Sequence, residues 1–326
     1  MKKMLARLSW VDFIKPVMLI MFIIFVFVKV PVFFTLGNLI DVLSQGVMIG
    51  IASLGMSMVI FSGEIDISIG AIIYLAGVSA TQIYMNTKNM FITLLCALGI
   101  GAACGFLNGF GVSKLKIPSM ITTLAVSDIA IGIASLLMRK KDTLVADASY
   151  KAFSQTRILG QLSSIWIYLV IVVVFILIMN KTKFGRYIYA IGDNADALNT
   201  LGISVDRMQI YIFMLTGILC GLAGVLATSR LGGSMIMMSI GTEVYCIAAV
   251  VLGGASMEGG KGSIVGTFVG SYIVVALDNL LRLMKTNAYI YNVIWGAIIF
   301  SVVLLDIIKT HQKKWQIERA LPVHGR

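Results

Sequence analysis

The amino-acid sequence predicts an all-α polytopic membrane protein, with about ten transmembrane helices forming one membrane domain over residues 1–326. Composition is the first reason: 59% of the residues are hydrophobic and 13% charged, and the mean hydropathy is +0.95. The second is that apolar runs of about 17 to 22 residues recur along the chain, each long enough to cross a bilayer core. The third is a single hydrophilic island, residues 181–207 (KTKFGRYIYAIGDNADALNTLGISVDR), between two such runs. A chain built of spans keeps so much polar sequence where something in the aqueous compartment has to grip it.

In order, the expected spans are 17–36, 42–61, 67–85, 91–110, 117–138, 163–179, 208–227, a short one at 242–256, 262–284 and 289–308. The first follows four basic residues and imitates a signal peptide. The sequence KVPVFFTLGN after it lacks a small-residue cleavage pattern, so an uncleaved span is expected. Basic residues crowd both tails: Lys2, Lys3, Arg7 and Lys15 at one, Lys309, Lys313, Lys314, Arg319 and Arg326 at the other. With an even number of spans, the positive-inside rule makes both termini cytoplasmic. The island at 181–207 then faces the cytoplasm and the loop at 139–162 faces out. That outer loop carries Arg139, Lys140, Lys141, Lys151 and Arg157, an excess that runs against the same rule.

Several function classes are excluded at this level. The net charge of +11 is spread over loops and tails with no aromatic-interleaved stripe, which fits orientation and lipid contact rather than nucleic-acid binding. Cys96, Cys104, Cys220 and Cys246 lie in apolar runs without metal or disulfide spacing, and His311 and His324 sit in the C-terminal tail. No metal site and no catalytic constellation is expected, so the chain is not read as an enzyme. Residues 253–263 (GGASMEGGKGS) imitate a phosphate-binding loop, but Ala255 and Gly262 stand where that motif needs Gly and Ser or Thr.

Glycines recur every four residues at Gly101, Gly105 and Gly109, at Gly262, Gly266 and Gly270, and at Gly217 and Gly221. Such faces permit close helix packing within one bundle or self-association. Polar residues at or near membrane depth are the pathway candidates. Glu64, Asp66 and Ser68 lie in SGEIDISIG, where Gly63 and Gly70 would let the backbone unwind into a cavity-lining turn; a plain loop with Asp66 or Ser68 capping the next helix is the other reading. Asn108 and Asn279 can bridge helices or donate to a hydroxylated solute. Glu243 and Asp278 are further acidic candidates, Glu243 at a helix start.

Within the island, Gly192 breaks the preceding segment, Asp193 or Asn194 can cap, Ala195 to Leu201 can form about two helical turns, and Gly202 suits a left-handed stop. Ala195, Leu198 and Leu201 share one face. A short amphipathic helix of this kind can dock into a groove on a soluble subunit or rest on lipid.

The residues Thr182, Phe184, Gly185, Arg186, Tyr187, Ala190, Gly192, Asn194, Ala197, Gly202 and Ile203 resemble the cytoplasmic coupling loop of bacterial ABC-importer permeases of the ribose, xylose and galactose type. Ser62, Gly63, Ile65, Asp66, Ser68, Gly70 and Gly77 resemble that family's first-half signature, and Asn108, Gly109, Ile117, Pro118, Ile121, Thr123 and Leu124 its middle one. The late glycine-rich block from Gly253 to Gly270, with Asn279, is similar to a further one. The resemblance runs in order from about residue 35 to residue 308. Glu64, Met120 and Ala125 depart from the usual Gly, Phe and Gly, and Leu198 with Asn199 replace the usual Ala and Arg of the coupling helix.

The resemblance implies an ABC-importer permease fold in the bacterial inner membrane. It implies a second permease, a cytoplasmic ATP-binding subunit and an extracytoplasmic sugar-binding protein as partners. ATP and Mg would belong to the partner ATPase and no cofactor to this chain. Gly185, Arg186, Gly192, Asn194, Ala197, Leu198, Leu201 and Gly202 would couple to the ATPase; Glu64, Asp66, Ser68, Asn108 and Asn279 would line the pathway; Arg139, Lys140 and Lys141 would help dock the binding protein. Transport of branched-chain amino acids or nucleosides by the same superfamily, and an ion-coupled secondary carrier, are the other readings carried forward.

Overall fold

The computed structural model describes residues 26–138, 141–287, 289–298, 300, 301 and 304. Residues 17–25 of the first expected span, Arg139, Lys140 and both histidines lie outside the described residues. After a 3-10 turn at Pro31–Phe34, α1 (Leu36–Phe61) begins where the Thr35 hydroxyl accepts the Asn38 N–H. The buried helix α2 (Ile69–Thr87) and the lipid-facing α3 (Met90–Ser113) follow, with Asn89 accepting from Phe91 and Ile92 to start the latter. Pro118 precedes α4 (Ser119–Met138). Then come α5 (Ala148–Gln155), α6 (Ser163–Lys181), α7 (Lys183–Thr200), α8 (Val205–Leu231), α9 (Thr242–Leu252), α10 (Ile264–Leu283) and a shorter apolar helix, α11 (Tyr289–Ile298).

Six of these, α1, α3, α4, α6, α8 and α10, are long and apolar enough to cross a membrane. Helix α2 has 19 residues but carries Ser79, Thr81, Gln82 and Asn86; from Ile69 to Thr81 it is buried on all sides, so Ser79 and Thr81 meet protein instead of lipid, while Gln82 is half-buried and Asn86 exposed at its end. The expected short span at 242–256 is helical only over Thr242–Leu252. The loop expected at 139–162 is a built cap: it contains α5 and the small antiparallel ladder of β2 (Arg157–Ile158) with β3 (Gln161–Leu162), and its β1 (Thr143–Leu144) pairs antiparallel with β4 (Gly233–Ser234) beyond α8.

Helix α8 is the axis of the bundle, packed on α1, α2 and α3. Its contact with α3 is backbone to backbone. A side chain on Gly101 would collide with the Gly217 carbonyl, one on Gly105 with that of Phe213, and one on Gly109 with the Ile210 backbone. Gly253 and Gly266 do the same for α9 and α10. Both glycine stripes are therefore consumed inside this chain, where close approach lets dispersion replace a hydrophobic effect that lipid does not supply. Outward faces carry Phe91 and Leu95 on α3, Ile129 and Leu136 on α4, and Val170 and Val173 on α6, all exposed, as a lipid-facing belt requires.

The loops at 139–162 and 181–207 lie at opposite ends. Helix α6 runs between them, α7 leads into the start of α8, and α5 packs on the far end of α8 through Ser229 and Thr228.

Candidate coupling and translocation site

Beyond Phe61 the chain turns at Gly63 (φ +84°) and re-enters the bundle before α2 begins. Its free N–H groups are met by hydroxyls at the start of α4: Ile65 donates to Ser119 Oγ (3.3 Å) and Ile67 to Thr123 Oγ1 (3.1 Å). This bracing puts Asp66 and Ser68 fully inside the protein. Asp66 Oδ1 accepts from the Ser68 N–H (2.8 Å) and from Ser68 Oγ (2.6 Å), and Asn108 Nδ2 on α3 donates to the same hydroxyl (2.7 Å). The remaining acceptors, Asp66 Oδ2 and Asn108 Oδ1, are buried without a partner. Asp66 thus closes the turn onto Ser68, the residue before α2, whose own side chain makes no capping bond to the helix, and Asp66 still holds one oxygen free. Two unfilled acceptors on one buried cluster are suited to a donor brought from outside, such as a solute hydroxyl.

A second broken segment approaches from the other side. Between β4 and α9 the chain runs along α2, Ser239 Oγ donates to the Gly70 carbonyl (2.9 Å), and Glu243 opens α9 against Gly70, half-buried. Glu64 lies apart, in the turn, accepting from Gln209 Nε2 (3.2 Å); burial raises its carboxyl above the usual range and the Ser119 hydroxyl partly offsets that. Asn279 is not with this cluster. Its amide makes a reciprocal pair with Asn38 across the α1–α10 seam, both bonds 3.0 Å, which leaves it a helix bridge. Asp278 is likewise engaged, by Arg282 Nε (2.8 Å) and by the Tyr291 hydroxyl.

The island folds into α7, helical from Lys183 and kinked at Asn194 (φ −163°, ψ 96°). Thr182 caps it, accepting from Gly185 (3.3 Å); a side chain on Gly185 would collide with the Met179 backbone, so the α6–α7 corner admits only glycine. At the kink Asn194 Oδ1 accepts from Ala197 (3.0 Å), and Gly202 (φ +79°) ends the last turns, as local sequence signals foretold. Leu198 is buried in the protein's own core, whereas Asn194, Asp196, Ala197, Asn199, Leu201 and Gly202 are exposed. Arg186 is exposed as well.

Gly192 does not break the helix. It is where three strands of backbone meet: a Cβ there would collide with the Phe61 carbonyl and the Gly260 N–H, and that N–H itself donates to the Phe61 carbonyl (2.9 Å). Phe61 stacks on Tyr189 (5.2 Å between centroids), and the Tyr189 hydroxyl donates to the Gly262 carbonyl (3.3 Å). The exposed tip of α7 is therefore tied through Phe61 to the segment that carries Asp66.

Residues 38–304 match the family described as branched-chain amino acid transport system / permease component. The chain belongs to this permease family. It is 34% identical over 281 residues to the ribose import permease protein of Escherichia coli K12, covering 85% of this chain and 87% of that protein. To the L-arabinose transport system permease protein of the same strain it is 33% identical over 267 residues, 82% of this chain and 81% of that one. To the fructose import permease protein of Rhizobium meliloti it is 33% identical over 285 residues, 84% and 79% respectively. No solved structure matches the chain.

The permease is a multi-pass protein of the bacterial inner membrane and a transport component, not a catalytic one. Among its described residues no group of three His, Cys, Asp or Glu is placed to hold a metal. Of the basic residues assigned to docking, Lys141 is exposed at the α5 end, while Arg139 and Lys140 lie outside the described residues. Sequence reasoning missed Phe61 and Tyr189 as parts of the joint, and with them the Gly259–Gly260 turn, where Gly259 lies against the Gly192 and Gly63 backbones and Gly260 against the Asp193 carboxylate. The signal in the sequence was the glycine block at 253–263, read there as a family motif and set aside as a phosphate-binding loop, with nothing local to show that it meets Gly192 and Phe61.

Proposed function

We propose that this chain is the permease subunit of an ATP-driven, binding-protein-dependent importer that carries a monosaccharide into the cytoplasm. The observation that carries the reading is the joint at Phe61, Gly192 and Gly260: it links an exposed, capped helix tip to a buried cluster with two unfilled acceptors. Ribose, L-arabinose and fructose, named in the relatives, are all polyhydroxylated solutes able to donate to such acceptors. In this reading the chain makes about ten spans with both termini cytoplasmic. The tip of α7, with Gly185, Arg186 and Gly192 behind it, takes up the ATPase; Leu198 anchors it from inside. ATP and Mg stay on that ATPase.

ATP binding would favour one of two arrangements of a permease pair, this chain and a second permease, and the joint would carry the difference to Asp66, Ser68 and Asn108. The α5 cap, with Arg139, Lys140 and Lys141, would receive the sugar-binding protein by charge complementarity. Proteoliposomes holding this chain, its ATPase and its binding protein test the proposal. Labelled monosaccharide should enter only with ATP and binding protein, and Asp66→Asn should reduce uptake at least about tenfold while the complex still assembles. Uptake of leucine in place of sugar would move the substrate to amino acids, and uptake by this chain alone under an ion gradient would replace the importer with a secondary carrier.

A further inference from the structure

An apolar groove of about 480 Å³ lies beside α7 and is not used by the coupling joint. Ile178 of α6 and Thr182 at the α6–α7 corner form one wall, Phe184 of α7 the end, and Tyr211, Met214 and Ile218 of α8 the other wall. On α8 the stripe continues toward the aqueous side to Arg207, four residues before Tyr211 and so on the same helix face. From Arg207 to Ile218 it runs about 16 Å along the axis. Lys181 and Lys183 flank Thr182 at the same end.

All three cations are exposed, and none makes an ion pair within 4.0 Å among the described residues. The nearby carboxylate of Asp206 is already taken by Lys114 (3.0 Å) and Lys116 (2.8 Å). The arrangement is therefore amphipathic and one-sided in charge: a slot for hydrocarbon whose lining residues Thr182, Phe184 and Tyr211 adjoin exposed cations in sequence or along one helix face. An anionic phospholipid satisfies both halves. A zwitterionic one fills the slot but adds a cation of its own beside three others.

We propose that this groove holds one acyl chain of an anionic phospholipid whose phosphate is bound by Lys181, Lys183 and Arg207. Because Phe184 and Lys183 belong to the first turn of α7, the lipid would brace the helix whose far tip is exposed. This inference does not rest on the identity of the transported solute. It names a ligand for a surface outside the pathway.

Native mass spectrometry of the full chain, purified in mild detergent and exchanged with equal amounts of phosphatidylglycerol and phosphatidylcholine, tests it. One phosphatidylglycerol per chain should survive conditions that remove phosphatidylcholine. A cation near the membrane surface strengthens binding of an anionic lipid roughly fivefold, so K181Q/K183Q/R207Q should weaken retention on the order of a hundredfold. Met214→Trp, which fills the slot and leaves every charge in place, should also expel the lipid; unaltered helix content by circular dichroism shows that either variant is folded. Equal retention of the two lipids, or retention of phosphatidylglycerol by folded variants at the level of the unaltered chain, would overturn the proposal.

Discussion

Where α7 meets the end of α1, the contacts are backbone on backbone: Gly192 against the Phe61 carbonyl, Gly260 donating to that carbonyl, and no room for a side chain between them. Where α5 meets the far end of α8, the contacts are hydroxyls: Tyr150 and Thr228 share a hydrogen bond of 2.6 Å, and Ser229 Oγ donates to the Tyr150 carbonyl (2.6 Å) and accepts from the Ser154 N–H (3.2 Å). The first joint is stiff at its centre, where only backbone meets and no rotamer can change, and the Phe61–Tyr189 ring stack closes it from one side. The second is made of groups that can each be lost singly. A joint that must pass on a displacement is better built the first way, and a cap that must hold a surface in place can be built the second way.

The comparison can be broken most severely at Gly192. Gly192→Val forces side-chain atoms into two backbones; overpacking of this kind costs about 1–3 kcal/mol or more, and here ATPase stimulation by the loaded binding protein should vanish together with a fall in Tm. A Val variant that melts and couples normally would mean that the three segments can part without consequence. Next is Ser229→Ala at the opposite end, which removes the bonds of that hydroxyl to the Tyr150 carbonyl and to the Ser154 N–H and hydroxyl in the interior. It should cost about 1–3 kcal/mol in a denaturation assay, with the uptake rate per folded complex unchanged.

The Asn38–Asn279 pair lies toward the same end as α5 and sharpens the contrast between closed and open polar groups. Asn279→Leu leaves the Asn38 amide short of its partner and should lower stability by about 1–2 kcal/mol, whereas Asn38→Leu with Asn279→Leu should recover part of that loss in a double-mutant cycle. Additive losses would show that the two amides do not act as a pair. The smallest effect is expected from Asp206→Asn near α7, where exposed ion pairs contribute under about 1 kcal/mol. Lys116 and then Lys114 hold the Asp206 carboxyl below its usual range, so its contribution is present above roughly pH 4 and fades as pH falls through the folded value. Stability of the unaltered chain minus that of D206N should shrink on that limb.

Much of α7 was legible because its signals are local. Asn194 as a cap, Ala197 as its donor and Gly202 as the stop lie within a few residues of one another, and capping chemistry depends on nothing further away. The same holds for Asp66, whose bond to Ser68 spans two residues. Gly192 was read as a helix breaker because its contacts with Phe61 and Gly260 are far away in sequence. Asn279 was placed in the pathway because an amide in an apolar run does not announce whether another amide faces it. The built cap at 139–162 was taken for a loop because its polar composition describes its surface and not the hydroxyls of α8 beneath it.

Hydropathy and run length by themselves determined that this chain lives in a membrane, where most spans fall and which polar stretch needs a partner, since every backbone group in hydrocarbon must be satisfied within its own segment. The order of four motifs also pointed to the permease family before any fold was known. Only the tertiary structure decided which glycines touch, that α2 is sheathed by its neighbours, and that of the buried polar residues one set closes on itself while Asp66 and Asn108 keep acceptors free. Those outcomes depend on pairs of residues brought together across the bundle, and close packing in the absence of water is a property of the pair.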